Sequence, residues 1–221
     1  MEPEFWLSKW QEGQTGFHLD RVNPLLQKYL PVLDLSASGH VLLPLCGKSV
    51  DLQYLHALGH SVTGIELSPL AIQSFWETSG MTPELAMDQT GTRRWTSGTL
   101  VLLEGDIFQI TPETVGIVDA VYDRAALIAM PPHLRPAYVQ KLKILANGAP
   151  ILLITLSYPE DEMQGPPFSV REDEIMTLFA PEYQAELLET SEVIDHNEGL
   201  RRRGLTQLRE TVWLLTSDRL A

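Results

Sequence analysis

Residues 42–51 read LLPLCGKSVD, and Gly47-Lys48-Ser49 has the form of the closing triplet of a phosphate-gripping loop. That loop requires G-x-x-x-x-G-K-[ST], because backbone N–H groups must wrap a phosphate in conformations that glycine reaches easily. The position five before Gly47 is Leu42, inside an apolar run, and no downstream acid is placed to hold magnesium. A nucleoside triphosphate grip is therefore excluded, as is the G-x-G-x-x-G dinucleotide fingerprint. What remains is a strand, one close-approach glycine and a helix start. Glu66 follows Gly47 by 19 residues, at the end of a second apolar run. An acid there can accept hydrogen bonds from both hydroxyls of a ribose. The plainer reading is a surface glutamate favoured by the dipole of the next helix. The strand-glycine-helix unit before it favours the ribose.

Two further polar pairs close apolar runs: Gly105-Asp106, followed by apolar Ile107 and Phe108, and Asp123-Arg124 in VYDRAAL. Strand carboxyl ends border the crevice in which doubly wound sheets bind ligands. Asp123 could offset an ammonium or sulfonium there, and Arg124 could meet a carboxylate or line an acceptor site. The alternatives are a turn residue for Asp106 and a salt-bridged rim pair for Asp123-Arg124. Cys46 is the one cysteine. Its place at a strand end beside a helix start could lower its pKa. No His or Asn constellation accompanies it, however, and a small apolar residue in a tight loop explains it equally well. No Cys/His spacing suggests zinc, and no metal is expected.

The elements that must position these residues follow from periodicity. Residues 3–30 predict one or two short helices, with a break at Asn23-Pro24. Strands are predicted over 40–46, 60–67, 99–106, 117–123 and 150–158, and helices over 49–59, 69–79 and 134–146. Ser68-Pro69 and Asn147-Gly148 supply a helix start and stop. The polar segment 81–99 predicts a loop or hairpin. Ser169 with Glu172 has the form of a capping box for a helix over 169–179. Strands near 184–194 and 205–216 have no evident helix between them, which suggests an antiparallel pair at the sheet edge. Strand and helix in alternation imply right-handed β-α-β units. The expected fold is α/β and Rossmann-like: a doubly wound, mostly parallel seven-stranded sheet with a late antiparallel pair. One domain over residues 1–221 is expected, with residues 1–30 as a helical lid.

The bulk numbers agree. The 221 residues are 44% hydrophobic and 20% charged, an ordinary globular balance. Sixteen Lys and Arg against 29 Asp and Glu give a net charge of −13, which repels phosphate backbones and argues against nucleic acid. The start, MEPEFWLSKWQEG, lacks a basic region followed by an apolar run, and no apolar stretch approaches a membrane span. A cytoplasmic protein is expected. A monomer is expected too, since no coiled-coil pattern or conspicuous apolar face appears.

Together, LSKWQEGQTGFH, LLPLCGKSVDLQYLHALGHSVTGIELS, VYDRAAL, LSYPEDEMQGPPFSV and the closing VWLLT resemble the thiopurine S-methyltransferase family in its bacterial form, from about residue 5 to 216. The resemblance implies methyl transfer from S-adenosyl-L-methionine (AdoMet) to the sulfur of a small-molecule thiol such as a thiopurine. It also implies cofactor contacts at Trp10, Leu45, Gly47, Glu66, Asp106, Ile107 and Arg124. Phe17 would stand between the cofactor and acceptor pockets, and Pro166 and Pro167 would wall the acceptor side. His18 and Asp123 are the catalytic candidates. Bacterial members suggest selenium or tellurium compounds as alternative acceptors, with a role in metalloid resistance. A non-catalytic AdoMet- or nucleotide-binding protein is the rival from another class. A DNA or RNA amino-methyltransferase would need an Asp/Asn-Pro-Pro-aromatic motif where Asp123-Arg124-Ala125-Ala126 stands. The family's basic acceptor-side residues fall in DHNEGLRRRGL, where no one of Arg201, Arg202 and Arg203 aligns securely.

Overall fold

The computed structural model describes residues 3–217. Helix α1 (Pro3–Gln11) and α2 (Pro24–Tyr29) precede the first strand. Asn23 ends the first of these excursions: its side chain accepts from the Leu25 N–H, and Pro24 occupies the first helical position. Then come β1 (His40–Pro44), α3 (Val50–Ala57), β2 (Ser61–Glu66) and α4 (Pro69–Ser79). The chain continues through β3 (Glu84–Met87), β4 (Arg93–Ser97), β5 (Leu100–Glu104), α5 (Pro112–Val115), β6 (Ala120–Arg124) and α6 (Arg135–Ala146). It closes with β7 (Ile151–Ser157), α7 (Glu172–Phe179), β8 (Gln184–Glu192), α8 (Glu198–Arg202) and β9 (Arg209–Thr216).

One open sheet holds every described strand, in the order β3-β4-β5-β2-β1-β6-β7-β9-β8. The five strands from β5 to β7 are parallel, whereas β9 runs antiparallel to both β7 and β8. This is the expected doubly wound sheet with its late antiparallel pair. The count differs: nine strands, not seven. Residues 84–97 form a hairpin that extends the β5 edge. Glu104 of β5 ties it down, accepting from Arg93 Nη1 at 3.1 Å and Trp95 Nε1 at 3.0 Å.

The central strands are buried on both faces, so they read as continuous apolar runs. Alternate residues still go to opposite layers. Leu42, Ile65, Leu103 and Val121 pack under α6 and α7, while Val41, Leu43, Val62 and Leu102 pack against α3 and α4. Two local expectations fail. Ser169 does not cap α7, whose N-cap is Arg171 without a side-chain bond. The Ser169 hydroxyl is engaged instead by the Tyr158 backbone, accepting from its N–H at 3.0 Å and donating to its carbonyl at 2.9 Å. And the antiparallel pair is not a plain hairpin, because α8 interrupts it with a helix that buries no residue.

Gly64 of β2 stands where the turn after β1, β5 and α3 crowd together. A Cβ there would lie 2.6 Å from both Cys46 Sγ and Leu102 Cδ2. Overpacking of this kind costs about 1–3 kcal/mol. Gly64→Ala is therefore expected to lower the urea midpoint by that equivalent without changing the slope. An unchanged midpoint would show that this layer has room.

Candidate active site

The carboxyl ends of β1, β2, β5 and β6 open into one cavity of about 1290 Å³. Its floor is made by turns that leave the strands abruptly. Leu45 (φ 48°) and Gly47 (φ 55°) follow β1, and Ala125 (φ 66°) follows β6. For leucine and alanine this left-handed conformation costs about 1–2 kcal/mol each, so the surrounding contacts must hold it.

Glu66 is the principal holder. Its side chain is buried, with Oε2 accepting from the Gly47 N–H at 2.8 Å and Oε1 from the Ser68 N–H at 2.7 Å. Each oxygen retains acceptor capacity toward the cavity. Burial raises its pKa, and the backbone donors oppose that rise. Across the crevice, Asp106 accepts from the Phe108 N–H at 3.0 Å, which aligns Ile107 and Phe108 along the wall.

The N-terminal segment covers one side. Phe17 packs edge-to-face on Trp10 and on Trp6, with ring centroids 5.7 and 5.5 Å apart. Trp10 lies against Gly47, where a Cβ would come within 3.2 Å of the indole. Arg124 Nη1 donates to the Phe17 carbonyl at 3.0 Å, joining this cover to the end of β6. His18 lines the cavity, and its pKa is lowered, first by burial and then by Lys48. The shift favours the neutral imidazole, the form able to accept a proton.

The opposite end of the cavity is walled by Met130, Leu134, Leu156, Pro166 and Pro167. Its backbone is suspended by side chains. Tyr158 Oη donates to the Pro167 carbonyl at 2.5 Å, and Arg203 Nη1 to the Pro166 carbonyl at 2.8 Å. Arg135, fully buried, donates to the Met130 and Ser169 carbonyls at 3.1 and 2.8 Å and through Nη1 to both Glu174 carboxylate oxygens at 2.7 and 2.6 Å. Of the three arginines that sequence left undecided, Arg203 reaches this wall. Arg201 pairs with Asp195, and Arg202 with Glu198 at 2.6 Å.

The structure thus gathers Trp10, Phe17, His18, Leu45, Gly47, Glu66, Asp106, Ile107, Arg124, Pro166 and Pro167 around one cavity. Asp123 is the exception. It is fully buried beneath the crevice, accepting from Tyr138 Oη at 2.6 Å and the Leu127 N–H at 3.1 Å. Strand alternation sends Tyr122 and Arg124 to the cavity and Asp123 to the other face. Asp123 braces the turn at Ala125 and does not line the cavity. Cys46 also lines the cavity, where burial, then Glu66, pushes its thiol well above the ordinary value and disfavours the thiolate. Sequence reasoning missed Asp51, Tyr122, His133, His196 and Asn197, which the fold brings to the same cavity. Period-two alternation from Arg124 could have found Tyr122. Nothing local marks the others. No group of side chains able to hold a metal ion occurs among the described residues, and no described helix is long and apolar enough to cross a membrane.

Comparison with known proteins adds to this geometry. Residues 1–218 match the family described as "Thiopurine S-methyltransferase". The chain is 42% identical over 219 residues to the thiopurine S-methyltransferase of Methylococcus capsulatus, covering 99% of both chains. It is 44% identical over 216 residues to that of Nitrosomonas eutropha, covering 97% of this chain and 98% of the other. The fold is similar, with TM-score 0.62 and 15% identity, to a Burkholderia thailandensis 1,6-didemethyltoxoflavin-N1-methyltransferase solved with S-adenosylhomocysteine. That likeness covers 98% of this chain and 87% of the other.

Asp123 generates a pH prediction. Burial raises its pKa from 3.8 to about 6 against the opposing Tyr138 and backbone donors. A raised folded-state pKa means that its contribution to stability is full below about pH 3.8 and is lost as pH rises through 6. Wild type and Asp123→Asn compared by chemical denaturation should therefore diverge across this window by on the order of 2–3 kcal/mol. The variant should lack that loss. Parallel curves would show that Asp123 does not titrate there.

Proposed function

The chain belongs to the thiopurine S-methyltransferase family, an enzyme family whose methyl donor is AdoMet, and on that premise we propose that it methylates the sulfur of thiopurines or related aromatic and heterocyclic thiols. The observation that carries this reading is the Glu66 carboxylate, clamped by two backbone N–H groups at the end of a cavity that continues to the Pro166-Pro167 wall.

The residues fit the donor. Glu66 retains acceptor capacity beyond its backbone donors, which suits the hydroxyls of a ribose. Asp106 and Ile107 would lie beside the adenine, and Leu45 and Gly47 would allow close backbone approach. Bound AdoMet supplies a methyl group on a cationic sulfur. The protein's part is positioning and exclusion of water. Trp10 and Phe17 cover the cavity, and an aromatic face also attracts a cation. A thiolate approaching a sulfonium cancels charge, which an apolar, covered chamber favours over separated ions. Met130, Leu134, Leu156 and the two prolines provide that chamber. His18, neutral and at the junction of the two halves, would take the thiol proton, while Arg203 would favour an anionic acceptor. The reading includes one domain over residues 1–221, acting as a cytoplasmic monomer. Light scattering should then return the 24.8 kDa of a single chain.

Calorimetry tests the donor site. AdoMet should bind and ATP should not, and Glu66→Ala should weaken AdoMet at least about tenfold through loss of two charge-assisted bonds. ATP binding without AdoMet binding would sink the reading. A panel of 6-mercaptopurine, other thiols, selenite and tellurite then identifies the acceptor. For His18, the pH profile of kcat/KM decides: His18→Ala should remove its acid limb and lower the plateau about 10²-fold or more. An unchanged profile would leave His18 without a role.

A further inference from the structure

Residues 195–204 border the cavity beside the Pro166-Pro167 wall and are held there by very little. His196, Asn197, Glu198, Gly199, Leu200 and Arg203 line that space, yet α8 buries no residue. The segment leaves the sheet where the Val193 N–H donates to the Leu208 carbonyl at 2.7 Å. At its two ends Ile194 and Leu205 are buried with Tyr158, Met163 and Leu208 in a small separate core, on which Leu200 rests partly buried. Its other side-chain ties are local: Arg201 with Asp195, Arg202 Nη2 with Glu198 at 2.6 Å, and Asn197 Nδ2 with the Val193 carbonyl at 2.8 Å. Among the described residues, one hydrogen bond joins 195–204 to a distant part of the chain, from Arg203 Nη1 to the Pro166 carbonyl at 2.8 Å. Gly204 follows directly, at φ 107°, a conformation open to glycine and suited to a pivot.

A chamber that excludes water during transfer must still open at each turnover to admit a thiol and release a thioether. Its other boundaries resist opening. The cover rests on Gly47 through Trp10 and is tied to Arg124 through the Phe17 carbonyl, while the inner wall hangs on buried Tyr158 and Arg135. Segment 195–204 can swing as a unit. Its two ion pairs move with it, so opening breaks one long-range hydrogen bond and bares part of Leu200. Segments with so few buried contacts open locally at low cost. We propose that residues 195–204 form a gate at the acceptor end of the cavity, pivoting at Ile194 and Gly204 and latched by the bond from Arg203 to the Pro166 carbonyl. The gate passes the acceptor and its methylated product while the donor stays in place. The proposal rests on the thiol-acceptor reading above.

The test uses Arg203→Met, which keeps a long stem and removes the hydrogen-bond donor. Hydrogen exchange read by mass spectrometry should run about tenfold faster at residues 195–204 than in wild type, as loss of a charge-assisted bond implies, and stay unchanged in β7 and β9. Stopped-flow binding of 6-mercaptopurine to the S-adenosylhomocysteine complex supplies the second readout. Unlatching a gate speeds passage both ways, so association and dissociation should each rise about fivefold or more while Kd stays within about twofold. Faster dissociation alone, with a raised Kd, would make Arg203 an ordinary acceptor contact and overturn the gate. Unchanged exchange at 195–204 would overturn it too. If the variant does not fold, wild type decides: 6-mercaptopurine added to the S-adenosylhomocysteine complex should slow exchange at 195–204. Slowing by S-adenosylhomocysteine alone would place the segment at the donor end and sink the proposal. A wild-type complex that did not bind 6-mercaptopurine would overturn the thiol-acceptor reading instead, and the exchange rates of Arg203→Met would still decide the latch.

Discussion

A buried carboxylate must be given donors, and Glu66 receives two from different loops. The Gly47 N–H belongs to the turn after β1, and the Ser68 N–H to the turn after β2. One side chain therefore locks the two loops that form the crevice floor. The left-handed turns at Leu45 and Gly47 persist because this bond and the Cys46 N–H bond to the Ile65 carbonyl, 3.0 Å long, hold them from below. The N-terminal cover is built outward from that floor: Trp10 rests on Gly47, Phe17 on Trp10, and Arg124 donates to the Phe17 carbonyl.

The two ends of the cavity are held by different means. The Glu66 end uses backbone geometry fixed by parallel strands, which leaves little to side-chain choice. The Pro166-Pro167 end uses side chains to suspend an irregular strip, with Tyr158, Arg135 and Arg203 each gripping a carbonyl of residues 166–169. Tyr158 and Arg135 are buried, whereas Arg203 is exposed and stands just past α8, a helix with no buried residue. The wall thus has a firm inner side and a loosely anchored outer one.

What was legible in the sequence follows the same division. Alternating apolar runs, Gly47 and the acid 19 residues on depend on local rules, and the fold, the crevice and Glu66 follow from them. Asp123 was misplaced because strand position alone points to the crevice, while face is set by alternation from a neighbour whose direction must be known. Ser169 carries a capping pattern, but a tertiary partner, the Tyr158 backbone, competes for its hydroxyl. Helix α8 lacks apolar periodicity, since it buries nothing, and the β3–β4 hairpin is exposed along β3 and so shows no alternation. Asp51 was hidden for another reason: in sequence it is one more acid in a helix's first turn, and only folding sets it beside Tyr122 and Arg124.

The bond from Arg124 to the Phe17 carbonyl spans 107 residues of chain. The cover made early in the chain can lay Trp10 on the Gly47 turn as soon as β1 has emerged, but its tie to Arg124 cannot form until β6 has been synthesised and has entered the sheet beside β1. Fastening of the cover on that side therefore waits until more than half of the polypeptide has emerged. A chain halted before β6 could hold β1 and β2 in order and still have a cover that nothing fastens to the end of β6.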